Sequence, residues 1–139
     1  MTNALFAPAM VLMLITFLVW LQMLLRRIIE SRRNKIHPQK MAMPEGVNAV
    51  LSERALAVSN CFKNFLEMPV LFYVVCVFIT LSQQVDALYM SMAWAFVALR
   101  GVQAAVHCTY NRVMHRFMAY LLSSLIAWAM VFRFALNLL

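Results

Sequence analysis

Charge and glycine are both scarce in this chain. Charged residues fill 12% of the 139 positions and only five are acidic, with two glycines and four prolines in all. Soluble domains carry about 25% charged residues, so an ordinary soluble domain is excluded. The low glycine and proline content, without any polar low-complexity tract, excludes a disordered segment or a collagen-like fibre. Cys61, Cys76 and Cys108 are odd in number and lack metal-ligand spacing, so free thiols are expected and no metal site is assigned. The basic residues follow the first apolar run instead of preceding it, and no small-residue cleavage site is present. That segment is therefore expected to stay on the protein. No internal repeat and no seam of closely spaced small residues is visible.

Hydrophobicity is what the chain has in excess, at 65% of residues. This composition implies an integral membrane protein. The net charge of +7 does not indicate a nucleic-acid partner, because six of the twelve Lys and Arg fall between Arg26 and Lys40, beside an apolar run. Anionic lipid accounts for such a block.

Ala4 to Leu25 is 22 residues without a charge, long enough at about 1.5 Å per residue to cross a hydrocarbon core of about 30 Å. Met68–Val85, Ala87–Leu99 and Phe117–Phe132 are also uncharged. The reading is an all-α, single-domain membrane protein over residues 1–139, an up-down bundle of four transmembrane helices near 4–27, 49–82, 86–110 and 115–138. A basic linker at 28–48 joins the first two. Short connections make neighbouring helices antiparallel. The first and third linkers carry the basic residues, which places them in the cytoplasm and both termini outside.

Polar residues gather at the cytoplasmic ends. Asn60, Lys63, Asn64 and Glu67 make one stripe on the second predicted helix, and Arg100, Gln103, His107 and Tyr110 another on the third. Arg116, Tyr120 and Ser123 or Ser124 follow on the fourth. Glu67 and Arg100 both fall roughly 21–22 Å from the outer linker, so an ion pair between them is expected, clamping two helices. The remaining groups suggest a polar pocket rich in cationic and amide donors, suited to a carboxylate-bearing anion. Lys63 and Arg116 could equally snorkel to the interface. His37 reads as solvated, His115 as interfacial, Arg133 as snorkelling, and the twelve methionines as filler. Pro69 is expected to bend its helix just beyond Glu67.

The run Asn60-Cys61-Phe62-Lys63-Asn64-Phe65-Leu66-Glu67-Met68-Pro69 resembles the helix signature of the MAPEG family, membrane-associated proteins in eicosanoid and glutathione metabolism, in its bacterial form. Arg100, His107, Tyr110-Asn111 and His115-Arg116 extend the resemblance over essentially the whole chain. It implies a homotrimer, in a bacterial inner membrane, with glutathione bound between subunits in the cytoplasmic half of the membrane. Asn64 and Glu67 match the family's glutathione-contacting pair, Arg116 the arginine near the glutathione thiol, and Tyr120 a family tyrosine. Arg26 or Arg27 stands for a basic residue at the end of the first helix. Asn60 and Lys63 replace family arginines, Gln103 replaces a histidine found in some members, and Phe117 replaces a serine, so the cationic grip on glutathione carboxylates is reduced.

On this reading Asn60, Lys63, Asn64, Glu67, Arg100, His107 and Tyr110 bind glutathione. Arg116 and Tyr120 activate its thiol as a thiolate for attack on a lipophilic substrate, in a transferase or peroxidase reaction. The alternative is a non-catalytic membrane binding or scaffold protein whose polar cluster is structural. A small multidrug exporter is disfavoured because the first helix has no glutamate between Ala4 and Leu25.

Overall fold

The computed structural model describes residues 3–139. Its helices are α1 (Phe6–Arg33), α2 (Pro44–Val50), α3 (Glu53–Leu81), α4 (Ala87–Cys108) and α5 (Val113–Leu138), with a 3₁₀ turn at Pro38–Met41. No strand occurs among the described residues. Helices α1, α3 and α5 are long and apolar enough to cross a membrane. The 22-residue α4 is long enough at about 1.5 Å per residue, and it carries Arg100, Gln103 and His107 along its length. It packs against α1, α3 and α5, so these polar residues lie inside the bundle.

The first helix runs on to Arg33, into the segment expected to be linker. Arg26, Arg27, Arg32 and Arg33 continue the helix because arginine is a good helix former, and a basic last turn suits the negative end of the helix dipole. The rest of the linker is also ordered. Pro44 starts α2 with Glu45 in its first turn, and a Cβ on Gly46 would strike the Lys40 carbonyl oxygen. Ser52 caps α3, accepting from the Ala55 amide at 3.2 Å, while its own amide donates to Glu30 Oε2 at 3.0 Å and its hydroxyl to Oε1. Glu30 thus ties the end of α1 to the start of α3.

Scarcity of glycine shows at the helix ends. Lys35, Gln83 and Asn111 have φ of 51°, 55° and 48°, in the left-handed region that glycine ordinarily fills. After α1 the Ile36 amide returns to the Ser31 carbonyl, and after α3 the Gln84 amide returns to the Ile79 carbonyl. Both closures satisfy helix-terminal carbonyls at the cost of strain in a side-chain-bearing residue.

At the far end, Asp86 caps α4 through the Tyr89 amide at 2.8 Å and receives Arg133 of α5 in a two-pronged pair, at 3.0 Å to Oδ1 and 2.5 Å to Oδ2. The Arg133 guanidinium lies 4.1 Å from the Tyr89 ring centre. Arg133 was expected to snorkel; it has an acidic partner instead. Phe72 and Phe96 stack at 4.4 Å between α3 and α4 in the middle of the core. Outward, Leu66, Val70, Val74, Val77 and Leu81 make an exposed apolar stripe along α3, and Leu121, Leu125, Trp128, Phe132 and Leu136 another along α5. Faces of this extent belong against lipid or another chain.

Candidate functional site

Helices α3, α4 and α5 leave a cleft of about 190 Å³ lined by Asn64, Gln103, Val113, Arg116, Phe117 and Tyr120. Arg116 stands in the first turn of α5. The Asn111 turn after α4 explains its posture: Arg116 Nη1 donates to Asn111 Oδ1 at 2.7 Å and contacts His107 Nε2 at 3.1 Å. A guanidinium can only donate, so His107 Nε2 accepts and the ring proton sits on Nδ1. His107 is 2% exposed, and its Nδ1 has no partner among the described residues.

Beneath the cleft lies Arg100, fully buried. Its Nη2 donates to the Asn64 backbone carbonyl at 2.6 Å, and its guanidinium lies 4.8 Å from the Phe65 ring centre and 5.9 Å from that of Tyr120. Pro69 has no N–H to give the Phe65 carbonyl, which neighbours the Asn64 carbonyl on which Arg100 docks. Arg100 Nε and Nη1 and both amide atoms of the fully buried Gln103 lack protein partners among the described residues. Buried donors without partners cost about 1–3 kcal/mol each, more for a charged group. These groups lie in and under the cleft.

No Glu67–Arg100 ion pair forms; the one salt bridge among the described residues is Asp86–Arg133. Depth arithmetic puts Glu67 and Arg100 at one level but says nothing of azimuth. Arg100 points at the Asn64 backbone, while Glu67 faces outward and is exposed.

The other polar residues singled out in the sequence lie elsewhere. Asn60 and Lys63 line a second cleft of about 240 Å³ with Arg27, whose Nη2 donates to Ser59 Oγ at 3.2 Å. Arg26 instead lines a groove on the outer face of α1 with Leu18, Leu25 and Glu30. Tyr110 pairs with His115 Nδ1 at 3.0 Å on the exposed turn and lines a third cleft with His107 and Cys108. Sequence reading missed Glu30 as the anchor of the linker, Asn111 as the tether of Arg116, and Ser59 as the partner of Arg27. Glu30 had a signal, being the one acidic residue amid the basic run.

The chain therefore gathers Asn64, Arg100, Gln103, His107, Arg116 and Tyr120 into one neighbourhood. Asn60 and Lys63, in the cleft with Arg27, and Glu67 are exposed outside this neighbourhood. Such a cleft can offer amide donors to a polar chain, a cation to an anion, and a phenol as hydrogen-bond donor. No curated protein and no solved structure matches the chain. The family model described as the MAPEG family matches residues 5–136, nearly the whole length, and the chain belongs to that family.

Proposed function

We propose that this protein binds glutathione in the α3–α4–α5 cleft, as a thiol co-substrate, and holds it as a thiolate for attack on a lipophilic electrophile arriving from the bilayer. The observation that carries this reading is the anchoring of Arg116 by Asn111 and His107 at the rim of a cleft whose floor holds the unpartnered amide of Gln103. Glutathione suits this donor set. Gln103 and Asn64 match peptide groups, Arg100 lies close enough to act through the floor, and Arg116 is the cation for the sulfur. A free thiol has a pKa near 8.5, and a nearby guanidinium lowers it by favouring the charged form. Tyr120 supplies a hydroxyl to the thiolate or to a developing oxyanion. The thiolate sulfur forms the new bond to the electrophile, which reaches the cleft laterally through lipid.

Four membrane-spanning helices with both termini outside and the cleft facing the cytoplasm complete this reading, and so does assembly as a homotrimer. Exposed Glu67 supports the assembly. It lies 14 residues from the end of α3 at Leu81, roughly 21 Å into the helix, on the face that also presents Leu66 and Val70. A carboxylate facing hydrocarbon at that depth is expensive, and a second copy of the chain would cover it. Asn60 and Lys63 share that face and would then join the cleft of a neighbouring subunit. The internal hydrogen bonds of Arg116 favour a second reading, a non-catalytic scaffold in which this cluster only fastens α4 to α5.

Isothermal calorimetry with glutathione on the detergent-purified protein separates the two. Saturable heat in the wild type, reduced in Gln103→Ala, supports the proposal. An absence of binding at millimolar glutathione removes it and leaves the scaffold.

A further inference from the structure

A groove of about 490 Å³ runs along the outer face of α1. Leu18, Leu21, Leu25, Arg26, Ile29 and Arg33 line it at helical spacing, so they form one continuous face turned away from the bundle. Leu18, Leu25 and Ile29 are exposed. Arg26 is 20 residues beyond Phe6, roughly 30 Å along the axis, which matches the thickness of a hydrocarbon core. The leucines therefore lie at the depth of acyl chains, and Arg26 at the depth of lipid phosphates. Arg33 follows two turns later and leans back toward the bilayer, since helical side chains lean toward the helix N-terminus. Neither guanidinium has an acidic partner, because the one salt bridge among the described residues is Asp86–Arg133. Glu30, the carboxylate in the groove, is engaged at both oxygens by the amide and hydroxyl of Ser52. Two cations against one carboxylate leave the groove with a single net positive charge. Other basic residues of this segment stand apart from it: Arg27 turns to Ser59, and Arg32, Lys35 and Lys40 are exposed outside the groove.

We propose that this groove binds one anionic phospholipid carrying a singly charged phosphodiester. The phosphate sits between Arg26 and Arg33, and an acyl chain lies along Leu18, Leu21 and Leu25. Cations above an apolar furrow match an amphiphile in both halves. A free phosphate would leave the furrow empty, and a second protein chain would have to bring an acid to the depth of Arg26. Guanidinium donors suit the acceptor because they can give a phosphate two parallel N–H bonds. The site differs from the diffuse attraction of a basic segment for an anionic surface, since only two of its cations contribute. Glu30 fastens this end of α1 to the start of α3, so a lipid held here sets the depth at which both helices leave the bilayer. This reading rests on the α1 face alone and stands whether or not the Arg116 cleft takes glutathione.

Native mass spectrometry tests it by titrating dioleoyl phosphatidylglycerol or dioleoyl phosphatidylcholine into the delipidated protein in detergent. The first phosphatidylglycerol should bind more tightly than phosphatidylcholine. Each arginine removed should weaken that binding about fivefold, and Arg26→Gln with Arg33→Gln together about 30-fold. Arg32→Gln with Lys35→Gln removes the same charge outside the groove and should leave the first site in place. Millimolar inorganic phosphate should not displace the lipid, because it cannot fill the furrow. Equal binding of the two lipids, equal losses in the two double variants, or displacement by inorganic phosphate would overturn the proposal. A second measurement needs only the wild type and decides the matter even if the Arg26→Gln, Arg33→Gln protein does not fold. Phosphatidylglycerol with a photoactivatable diazirine in its acyl chain should label Leu18, Leu21 or Leu25, located by peptide mapping. Labelling confined to other helices, or a second copy of the chain cross-linked across this face, would equally overturn it.

Discussion

If Arg116 is the cation that holds a bound thiolate, its removal should move the ionisation of glutathione in the complex by a calculable amount. Its Nη1 is committed to Asn111 and His107, and the half-buried side chain borders the cleft with its remaining donors. A unit charge about 4 Å from the sulfur, at an effective dielectric of about 20, is worth about 4 kcal/mol. One pKa unit is about 1.4 kcal/mol, so about 3 units is the ceiling. Partial exposure of the guanidinium to solvent cuts this to about 1–2 units. Bound glutathione should then ionise between about pH 6.5 and 7.5, against about 8.5 for a free thiol. Thiolate absorbance near 240 nm, titrated against pH at saturating glutathione, measures this. Arg116→Ala should return the midpoint to about 8.5, and Arg116→Lys should fall between because it keeps the charge without the planar fork. Asn111→Ala should raise the midpoint by about half a unit, since it frees the guanidinium to move. An Arg116→Ala protein that binds glutathione and titrates with the wild type would refute the assignment.

Other expectations follow from the packing. Glu67→Ala should weaken subunit assembly in native mass spectrometry, whereas Arg100→Ala should lower the thermal midpoint of the subunit itself; equal effects of both on assembly would show the two residues acting as one pair. Gln83→Gly should stabilise the protein by about 0.5–1 kcal/mol, because relief of a left-handed conformation costing about 1–2 kcal/mol exceeds glycine's entropic cost; a fall in thermal midpoint would count against the strain. The paired Arg133 guanidinium and the Tyr89 amide hold the Asp86 carboxyl down to about 2. Its native value lies below the usual carboxylate value of about 3.9. The contribution of this clamp to stability is therefore full above about pH 4 and fades as the pH falls through about 2. Thermal midpoints across pH 2–6 should fall less steeply in Asp86→Asn than in the wild type, and parallel curves would deny the clamp any role.

The long helices were legible because apolar runs of this length have few other fates, and the polar stripes on α3 and α4 are visible as spacing. Azimuth and distant pairing were not legible. Glu67 and Asn64 lie three residues apart and so about 60° apart around the helix, enough to turn one outward while the other lines the cleft. Depth alone could not reveal that Arg100 docks on the Asn64 carbonyl instead of Glu67. Likewise Arg133 and Asp86 are brought together by packing between α5 and the start of α4, which no local pattern encodes. The basic run after Leu25 was read as linker because its charges suggested solvent. Arginine's helix propensity carries α1 on to Arg33, and Glu30 then fastens it to Ser52. Tethering of Arg116 by Asn111 depends on a left-handed turn residue that glycine statistics would not flag.

Localising the ligand tests the central claim most directly. An electron cryomicroscopy reconstruction with glutathione sulfonate, whose anionic head stands in for the thiolate, should place the sulfonate against Arg116 and Tyr120. The peptide portion should run over Gln103 and Asn64. Ligand density confined to the Tyr110–Cys108 cleft or the Arg27–Lys63 cleft, or none at saturating concentration, would contradict the account.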